Sequence, residues 1–378
     1  MIKFKIIKKS DKSRARLGLI ETPFGVVETP SLVPVATQAV VKTLTSGQVE
    51  KTKTQILIAN TFHLHLRPNE QVIEKNGGLH GFMNWEKPLM TDSGGFQAFS
   101  LGFGKDLGMG KILKQKSDIK IKEGQQPKLL KITEEGVLFR SFLDGSEIFL
   151  GPKESIKIQE KLGADIIFAL DECTSPAADY EYTKKSLLKT HRWAKACLRA
   201  KKTKQAIFGI VQGGRYKDLR IESARFIKSF SFDGFGIGGE FGDNKKIMIQ
   251  MLDWVTNELP EDKPRHLLGI GYLDDIPKVI KAGIDIFDCS VPTHYARRGI
   301  AFTSKGKVDF SKSKFLKDGK PIDQKCSCSV CQNYKRSYIC HLFRAKEITA
   351  MSLITFHNLY FFNDFVEKIR EDIKRGEI

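Results

Sequence analysis

Three cysteines and one histidine form the group of side chains with the clearest chemical meaning. The chain reads Cys326-Ser-Cys328-Ser-Val-Cys331, and His357 follows 26 residues after the third cysteine. Three thiolates and one imidazole are a usual ligand set for a tetrahedral zinc ion, and four protein ligands leave no open position for a substrate. The spacing therefore predicts a structural zinc site, with another metal or a disulfide as the alternative, and the chemistry is expected elsewhere.

A second group of side chains, three aspartates and a glutamine, follows short apolar segments spread along the chain. Their motifs are Thr91-Asp-Ser-Gly-Gly-Phe-Gln97, Leu170-Asp-Glu-Cys-Thr174, Val211-Gln-Gly-Gly214 and Phe287-Asp-Cys-Ser290. A pair of carboxylates suits displacement at the anomeric carbon of a sugar, with one as nucleophile and the other as general acid/base. A single carboxylate in such a position can instead cap the next helix. Three of them flanked by small residues favour a site that a flat ligand can approach.

A different chemistry is suggested by His63-Leu-His65, because a His-x-His pair after a strand also occurs in metal-dependent hydrolase barrels. That mechanism needs further histidines at strand ends. The segments that end at Glu172, Gly214, Gly239 and Gly271 supply none at those ends. The carboxylate chemistry is therefore favoured.

Eight short apolar segments must position these side chains. They cover residues 31–37, 56–60, 88–94, 166–172, 206–214, 233–239, 265–271 and 284–290. Stretches of helical period lie between most of them, at residues 154–163, 180–200, 216–228, 245–258 and 273–282. Apolar strands that alternate with helices indicate a parallel sheet, and eight such units predict an α/β fold of the (β/α)8 TIM-barrel type rather than a doubly wound sheet. The carboxyl ends of the strands then share one face, where the aspartates should converge.

The predicted barrel has an insertion and a carboxyl-terminal subdomain. Residues 130–150 predict a β-hairpin with turns at Gly136 and Asp144-Gly145, after a basic stretch at 101–128. We expect a catalytic barrel over residues 1–311, with the insertion at 101–150, and a zinc-binding subdomain with closing helices over 312–378. Residues 347–358 predict a helix that carries His357, and residues 359–375 its continuation or a second helix.

The charge of the chain points to a polyanionic partner. The sequence has 62 Lys and Arg against 44 Asp and Glu, a net charge of +18. Residues 305–346 hold 11 basic and 3 acidic side chains, and residues 105–131 hold 8 and 3. Seven cysteines, a basic first segment and the lack of any long apolar run predict a soluble, cytoplasmic protein without a membrane partner.

Taken together, these motifs resemble those of the queuine tRNA-ribosyltransferases, the bacterial-type tRNA-guanine transglycosylases. The resemblance runs from about Arg16 to about Asn363 and includes Phe287-Asp-Cys-Ser-Val-Pro-Thr293, Ala296-Arg297 and the zinc set. It implies a glycosyltransferase that exchanges the wobble guanine, at position 34 of tRNAs with GUN anticodons, for a 7-deazaguanine base. The exchange would pass through a covalent ribosyl-enzyme, as part of queuosine modification.

The resemblance also implies roles for individual residues. Asp288 would be the nucleophile and Asp92 the general acid/base. The residues implied to bind the base are Asp92, Ser93, Phe96, Asp171, Cys173, Gln212 and Gly239. Asn60, Ser93 and Gln97 would hold the carboxylates in position, and the zinc subdomain would form part of a homodimer interface.

Two departures from the family pattern concern the substrates. His294 stands where bacterial members usually have an arginine, and Arg297 and Arg298 are the other expected RNA contacts. In Gly238-Gly-Glu-Phe-Gly242, a glycine occupies the place of a bulky valine. The incoming base could therefore be the larger queuine as well as 7-aminomethyl-7-deazaguanine.

Two related proteins are the remaining alternatives. A non-catalytic tRNA-binding subunit would be expected to lose the nucleophile or the zinc ligands, which this chain keeps. An archaeal-type enzyme that acts on the D-loop would be expected to carry further RNA-binding domains after Ile378.

Overall fold

The protein combines a small antiparallel sheet with a closed parallel barrel. A computed structural model describes residues 2–96, 130–141, 144–175, 178–238 and 245–378. Strands β1 (Lys3–Lys9), β2 (Arg16–Thr22) and β3 (Gly25–Thr29) form the antiparallel sheet. The eight barrel strands are β4 (Ser31–Ala36), β5 (Leu57–Ala59), β6 (Leu89–Thr91), β10 (Ile166–Phe168), β11 (Ala206–Val211), β12 (Gly234–Ile237), β13 (Arg265–Leu267) and β14 (Ile286–Cys289).

The barrel confirms the predicted fold class. Each barrel strand lies within one of the eight predicted segments, and β14 pairs in parallel with β4 to close the sheet. A doubly wound sheet would have stayed open at that point. The TIM-barrel prediction is therefore correct.

Helices surround the barrel and cover the outer faces of its strands. They are α1 (Ser46–Glu50), α2 (Thr61–Leu66), α3 (Glu70–Lys75), α4 (Gly78–Met83), α5 (Pro152–Leu162), α6 (Tyr180–Ala200), α7 (Lys217–Lys228), α8 (Lys245–Thr256), α9 (Ile276–Lys281) and α10 (Val291–Ala296). Asp179 caps α6 by accepting from Tyr182 N, and Pro152 begins α5. The five predicted helices agree with α5 to α9 within three residues at each end.

The barrel interior is filled by large rings that face glycines. A Cβ on Gly234 would lie 2.4 Å from the Phe208 ring, and one on Gly236 would lie 2.9 Å from Phe168. Ile20 and Val27 of the antiparallel sheet belong to the same buried cluster. The sheet thus packs over the amino-terminal end of the barrel interior.

The described part of the insertion has one more strand than predicted. Strands β7 (Leu130–Ile132), β8 (Val137–Arg140) and β9 (Glu147–Leu150) form an antiparallel sheet in chain order. Both turn signals reverse the chain, so the expected single hairpin is wrong and a three-stranded meander takes its place. The basic stretch before it falls within residues 97–129, which lie outside the described residues.

The carboxyl-terminal part combines a hairpin with three helices. Strands β15 (Ile300–Thr303) and β16 (Gly306–Asp309) lead through a 3-10 helix (Ser313–Lys317) to α11 (Ser329–Asn333), α12 (Arg336–Arg344) and α13 (Ile348–Arg375). Helix α13 is continuous, and it packs against α10, β15 and β4. The domain boundary at 311 and 312 stays a prediction. Among the described residues, no helix has the length and apolar character needed to cross a membrane.

Candidate active site and metal centre

A cavity opens at the carboxyl ends of the barrel strands and collects the predicted side chains. It is lined by Asn60, Asp92, Ser93, Phe96, Asp171, Cys173, Gln212 and Asp288, together with Gly238. Its apolar walls, which sequence reasoning did not identify, are Val35, Ile58, Ala59, Phe168, Ile210 and Leu268. The predicted convergence is therefore correct, while the roles of the residues stay predictions. Gln97 and Gly239 lie outside the described residues.

Asp92 is held by donors from the neighbouring strand and its own turn. Its Oδ2 accepts from Asn60 Nδ2 at 2.6 Å, and its Oδ1 accepts from the backbone N–H of Thr61 at 2.9 Å and of Gly94 at 3.2 Å. Asn60 also caps α2, because its Oδ1 accepts from His63 N at 2.9 Å. One amide side chain therefore fixes both the helix and the carboxylate.

Asp171 is buried and bonded through both carboxylate oxygens. Ser93 Oγ donates to Oδ1 at 3.0 Å, and Gln212 Nε2 donates to Oδ2 at 2.6 Å. Gln212 Oε1 is buried and has no hydrogen-bond partner among the described residues. A buried acceptor without a partner loses free energy unless a ligand supplies a donor. The wall around Gln212 is thus suited to a planar molecule with an N–H group.

Asp288 is held by a histidine that sequence reasoning missed. Its Oδ1 accepts from Gly269 N at 2.8 Å and lies 3.0 Å from Nε2 of His266. His266 is fully buried, whereas the Asp288 side chain is 14% exposed. The available signal was a histidine inside a short barrel strand, Arg265–Leu267, because alternate residues of a barrel strand point inward.

Buried Arg220 links the two strand ends beside Gln212. Its Nε donates to Gly214 O and its Nη1 to Gly238 O, both at 2.7 Å. Burial lowers the pKa of its guanidinium to about 10, so the group still carries its charge at neutral pH. No motif pointed to this arginine, since its partners are backbone carbonyls that only the fold brings together.

The three expected RNA contacts follow directly after Asp288 in the chain. His294 lies in α10, which begins three residues beyond Asp288. Arg297 is half-buried and its Nε donates to Thr293 O at 3.3 Å, while Arg298 is exposed. His294, Arg297 and Arg298 therefore lie on α10 and the turn after it, directly beyond the strand that carries Asp288.

The predicted metal ligands come together in the carboxyl-terminal part. One ligand atom from each of Cys326, Cys328, Cys331 and His357 lies within 4.8 Å of the others. His357 Nδ1 is 3.6 Å from Cys328 Sγ and 3.2 Å from Cys331 Sγ. A tetrahedral zinc ion with bonds of about 2.3 Å to sulfur and about 2.0 Å to nitrogen requires S···N separations of roughly 3.6 Å. The cluster therefore fits a tetrahedral metal ion.

Surrounding groups prepare these ligands for a cation. His357 Nε2 lies 2.7 Å from Phe302 O, which fixes the tautomer and turns the Nδ1 lone pair towards the cysteines. Hydrogen bonds with Cys326 and Cys331 lower the pKa of the Cys328 thiol and so favour the thiolate that binds a metal. Among the described residues this is the only group of at least three such side chains that could hold a metal. By contrast, His65 of the rejected hydrolase motif pairs with Glu70.

The fold is that of a (β/α)8-barrel enzyme, and the candidate active-site cavity lies at the carboxyl ends of the strands. Residues 11–378 match the family model described as queuine tRNA-ribosyltransferase, so the chain belongs to this family. The enzyme of that name from Caldanaerobacter subterraneus subsp. tengcongensis is 46% identical over 380 residues, which cover 100% of this chain and 95% of the relative. The enzyme from Halothermothrix orenii is 45% identical over 379 residues, with the same coverage.

Proposed function

We propose that this protein is a tRNA-guanine transglycosylase that replaces guanine 34 of tRNAs with GUN anticodons by a 7-deazaguanine base. The proposal is based on one observation: Asp92 and Asp288 line the same cavity, in a chain that matches the family along nearly its whole length. The names of the relatives describe ribosyl transfer involving tRNA and queuine. A cytoplasmic location, where mature tRNA is found, is part of the proposal.

In the first half of the reaction, a carboxylate oxygen of Asp288 attacks C1′ of the ribose. The bond between C1′ and N9 breaks, and its electron pair leaves with the guanine. Asp92, which is protonated at the start of the cycle, gives its proton to the departing base and becomes a carboxylate, so that guanine leaves as a neutral molecule. The product is neutral guanine and a ribosyl ester on Asp288.

In the second half, the incoming base takes the place of guanine. Asp92 removes the proton from N9 of this base, and N9 attacks C1′. The ester bond to Asp288 breaks and its carboxylate is regenerated. The donors that surround Asp92 hold its carboxyl group in one position during both halves of the reaction, and Asp92 ends the cycle protonated, as it began.

The polar wall of the cavity can recognise the edge of the base. Gln212 Oε1 would accept from an N–H of the base, and Asp171 would act beside it with its rotation fixed by Ser93. Phe96 and Cys173 line the same cavity, so they can contact the faces and rim of a planar ring. A site of this kind rejects analogues that lack the matching donor, because buried polar groups would then be left unpaired.

The metal in this proposal is zinc, and its role is structural. Cys326, Cys328, Cys331 and His357 would hold it, and all four positions around the ion are then filled by protein. A bound zinc ion supplies folding free energy by joining α11 to α13.

The tRNA-binding surface is expected to extend from α10 over the basic carboxyl-terminal part. His294, Arg297 and Arg298 would contact the nucleotides beside the target guanosine. Because phosphate contacts release counterions, we expect tRNA affinity to fall steeply as salt rises. Replacing His294 with arginine adds a fixed charge and should strengthen binding.

A homodimer through the carboxyl-terminal part completes the proposal. Tyr334 and Tyr338 are 39% and 45% exposed and stack with their ring centroids 5.8 Å apart, and Ile348 is 72% exposed. Exposed aromatic pairs of this kind are common anchors of interfaces. Tyr338→Glu should convert a dimer into a monomer in light scattering, and unchanged mass would refute this interface.

The test is incorporation of labelled guanine into tRNA with a GUN anticodon by the metal-loaded protein. We expect wild-type protein to exchange the base and to form an adduct with tRNA that survives a denaturing gel. Asp288→Asn should lose both activities. Asp262→Asn is the matched control, because it removes the same charge from an exposed position before β13, at the opposite end of the barrel.

The same assay separates the remaining alternatives. Unlabelled queuine and 7-aminomethyl-7-deazaguanine serve as competitors, and the stronger one indicates the preferred incoming base. An adduct that persists in Asp288→Asn would refute the assigned nucleophile. Binding of tRNA without exchange by folded, metal-loaded protein would favour a non-catalytic tRNA-binding subunit.

A further inference from the structure

His266 is a buried histidine whose side chain has its only hydrogen-bond contact among the described residues with Asp288. Its side chain is fully buried, and Nε2 lies 3.0 Å from Asp288 Oδ1. On the other side of the ring, Nδ1 is buried and has no hydrogen-bond partner among the described residues. The edge of the ring packs against Phe168, with centroids 5.3 Å apart.

These contacts determine which nitrogen carries the proton. An ionised carboxylate only accepts hydrogen bonds, so Nε2 of His266 must be the donor to Asp288. A second proton on Nδ1 would create a buried charged donor without a partner, which is strongly unfavourable. The ring is therefore neutral and carries its proton on Nε2.

We propose that His266 is a positioning residue for the nucleophile: it donates from Nε2 to Oδ1 of Asp288 and fixes the rotation of the carboxylate for attack on C1′. The inference rests on the proposed function and deepens it.

A neutral donor is well suited to this task. Gly269 N donates to the same oxygen at 2.8 Å, so two donors from β13 and the loop after it define the plane of the carboxylate. A lysine or arginine in the place of His266 would also orient Asp288, but the resulting ion pair would stabilise the ionised nucleophile and be lost when the neutral ester forms. His266 orients the carboxylate without placing a second full charge beside it.

The experiment measures single-turnover formation of the trapped tRNA adduct, together with kcat and KM for guanine exchange. His266→Phe keeps a ring beside Phe168 but removes the donor. We expect the rate of adduct formation and kcat to fall about 10- to 100-fold, which is the effect of losing one hydrogen bond to a charged group. The KM values for tRNA and for guanine should change less than about twofold. His266→Gln, whose amide can reach Asp288, should recover most of the rate.

A second buried histidine provides the matched control. His191 is a residue of α6 that stacks on Phe226 and contacts Ser223 of α7, and it is not part of the cavity lining. His191→Phe should keep the wild-type adduct rate. If His266→Phe does not fold, His266→Asn replaces it, because its shorter amide does not reach Asp288.

The outcomes distinguish this inference from the proposed function. Active wild type with a slow His266→Phe, rescued by glutamine, supports the positioning role. If the wild type is active and His266→Phe or His266→Asn forms the adduct at least as fast, or changes only KM, the positioning role is overturned. The proposed function then stays intact. A wild-type protein that forms no adduct and exchanges no base overturns both.

Discussion

Replacing Asp92 with asparagine tests how the proposed acid/base is held. Asp92 Oδ1 accepts from two backbone N–H groups, and Oδ2 accepts from Asn60 Nδ2 at 2.6 Å. An asparagine keeps one acceptor but turns the other into an amino group that faces the amino group of Asn60. Asn60 cannot exchange its own oxygen and nitrogen freely, because its Oδ1 caps α2 at His63 N. The variant must therefore oppose two donors or break the cap.

The expected loss of stability follows from these two routes. A hydrogen bond to a charged group contributes about 1.5–3 kcal/mol, and a helix N-cap contributes about 1 kcal/mol. The protein will relax along the less costly route, so we expect Asp92→Asn to lower the free energy of unfolding by about 2 kcal/mol. With an unfolding entropy of about 2.1 cal/mol/K per residue and 378 residues, the Tm should fall by roughly 2–3 °C.

A second substitution should restore the stability but not the activity. Asn60→Asp in the same chain offers one oxygen to the new amino group at position 92 and the other to His63 N. Alone, Asn60→Asp would instead set two carboxylates against each other. Calorimetry on the wild type, both single variants and the double variant should give a coupling of at least about 1 kcal/mol. Base exchange should stay lost in the double variant, because an asparagine cannot accept the N9 proton.

Two results would refute this reasoning. Asp92→Asn that unfolds at the wild-type temperature would mean that the donors around this carboxylate contribute no net stability. A double variant no more stable than the sum of the single changes would mean that Asn60 does not act on Asp92 and the α2 cap together.

Three further changes test other parts of the protein. Burial lowers the pKa of His191 to about 4, below its ordinary value of 6.5, so protonation favours the unfolded chain. Between pH 7 and pH 5 this histidine should lower the free energy of unfolding of the wild type by about 2 kcal/mol, and His191→Phe should not show this loss. Urea unfolding at both pH values measures the difference, and an unchanged pH slope in the variant would contradict this. Cys328→Ser should lose the bound metal and unfold at lower temperature, whereas Cys340→Ser, a buried thiol outside the cluster, should keep it; equal zinc content by mass spectrometry would refute the ligand set. Gly234→Ala forces a Cβ to within 2.4 Å of the Phe208 ring and should destabilise by about 1–3 kcal/mol; Phe208→Leu should recover part of this in calorimetry, and strictly additive losses would argue against the contact.

The barrel could be predicted because its strands are buried on both faces. A segment such as 206–211 is then apolar throughout and stands out between amphipathic helices. Strand β1 gives no such signal, since its sequence KFKIIKK is mostly exposed and charged. The antiparallel sheet was missed for this reason, although it closes one end of the barrel.

The candidate site was predictable only as far as its residues end strands. Asp92 and Asp171 follow barrel strands and Asp288 lies near the end of β14, so topology alone brings them together. His266 contacts Asp288, which is 22 residues further along the chain. Arg220 contacts the carbonyls of Gly214 and Gly238, which are 6 and 18 residues away. Neither residue belongs to a motif. Their contacts depend on the register between neighbouring strands, which apolar patterns do not specify closely enough.

The three carboxylates of the cavity have the same chemistry in water but different surroundings in the fold. Both oxygens of Asp171 are bonded to side chains, Ser93 and Gln212, so it is best suited to hold a ligand edge in a fixed direction. Asp92 is bonded to backbone N–H groups and to Asn60, which hold it in a fixed position suited to proton exchange with the base. Asp288 Oδ1 accepts one hydrogen bond from Gly269 N and one from Nε2 of the neutral His266. The Asp288 side chain is partly open to solvent, whereas His266 is fully buried. A carboxylate nucleophile needs to be oriented without full compensation of its charge, so the donors favour the same division of roles that the family resemblance implies.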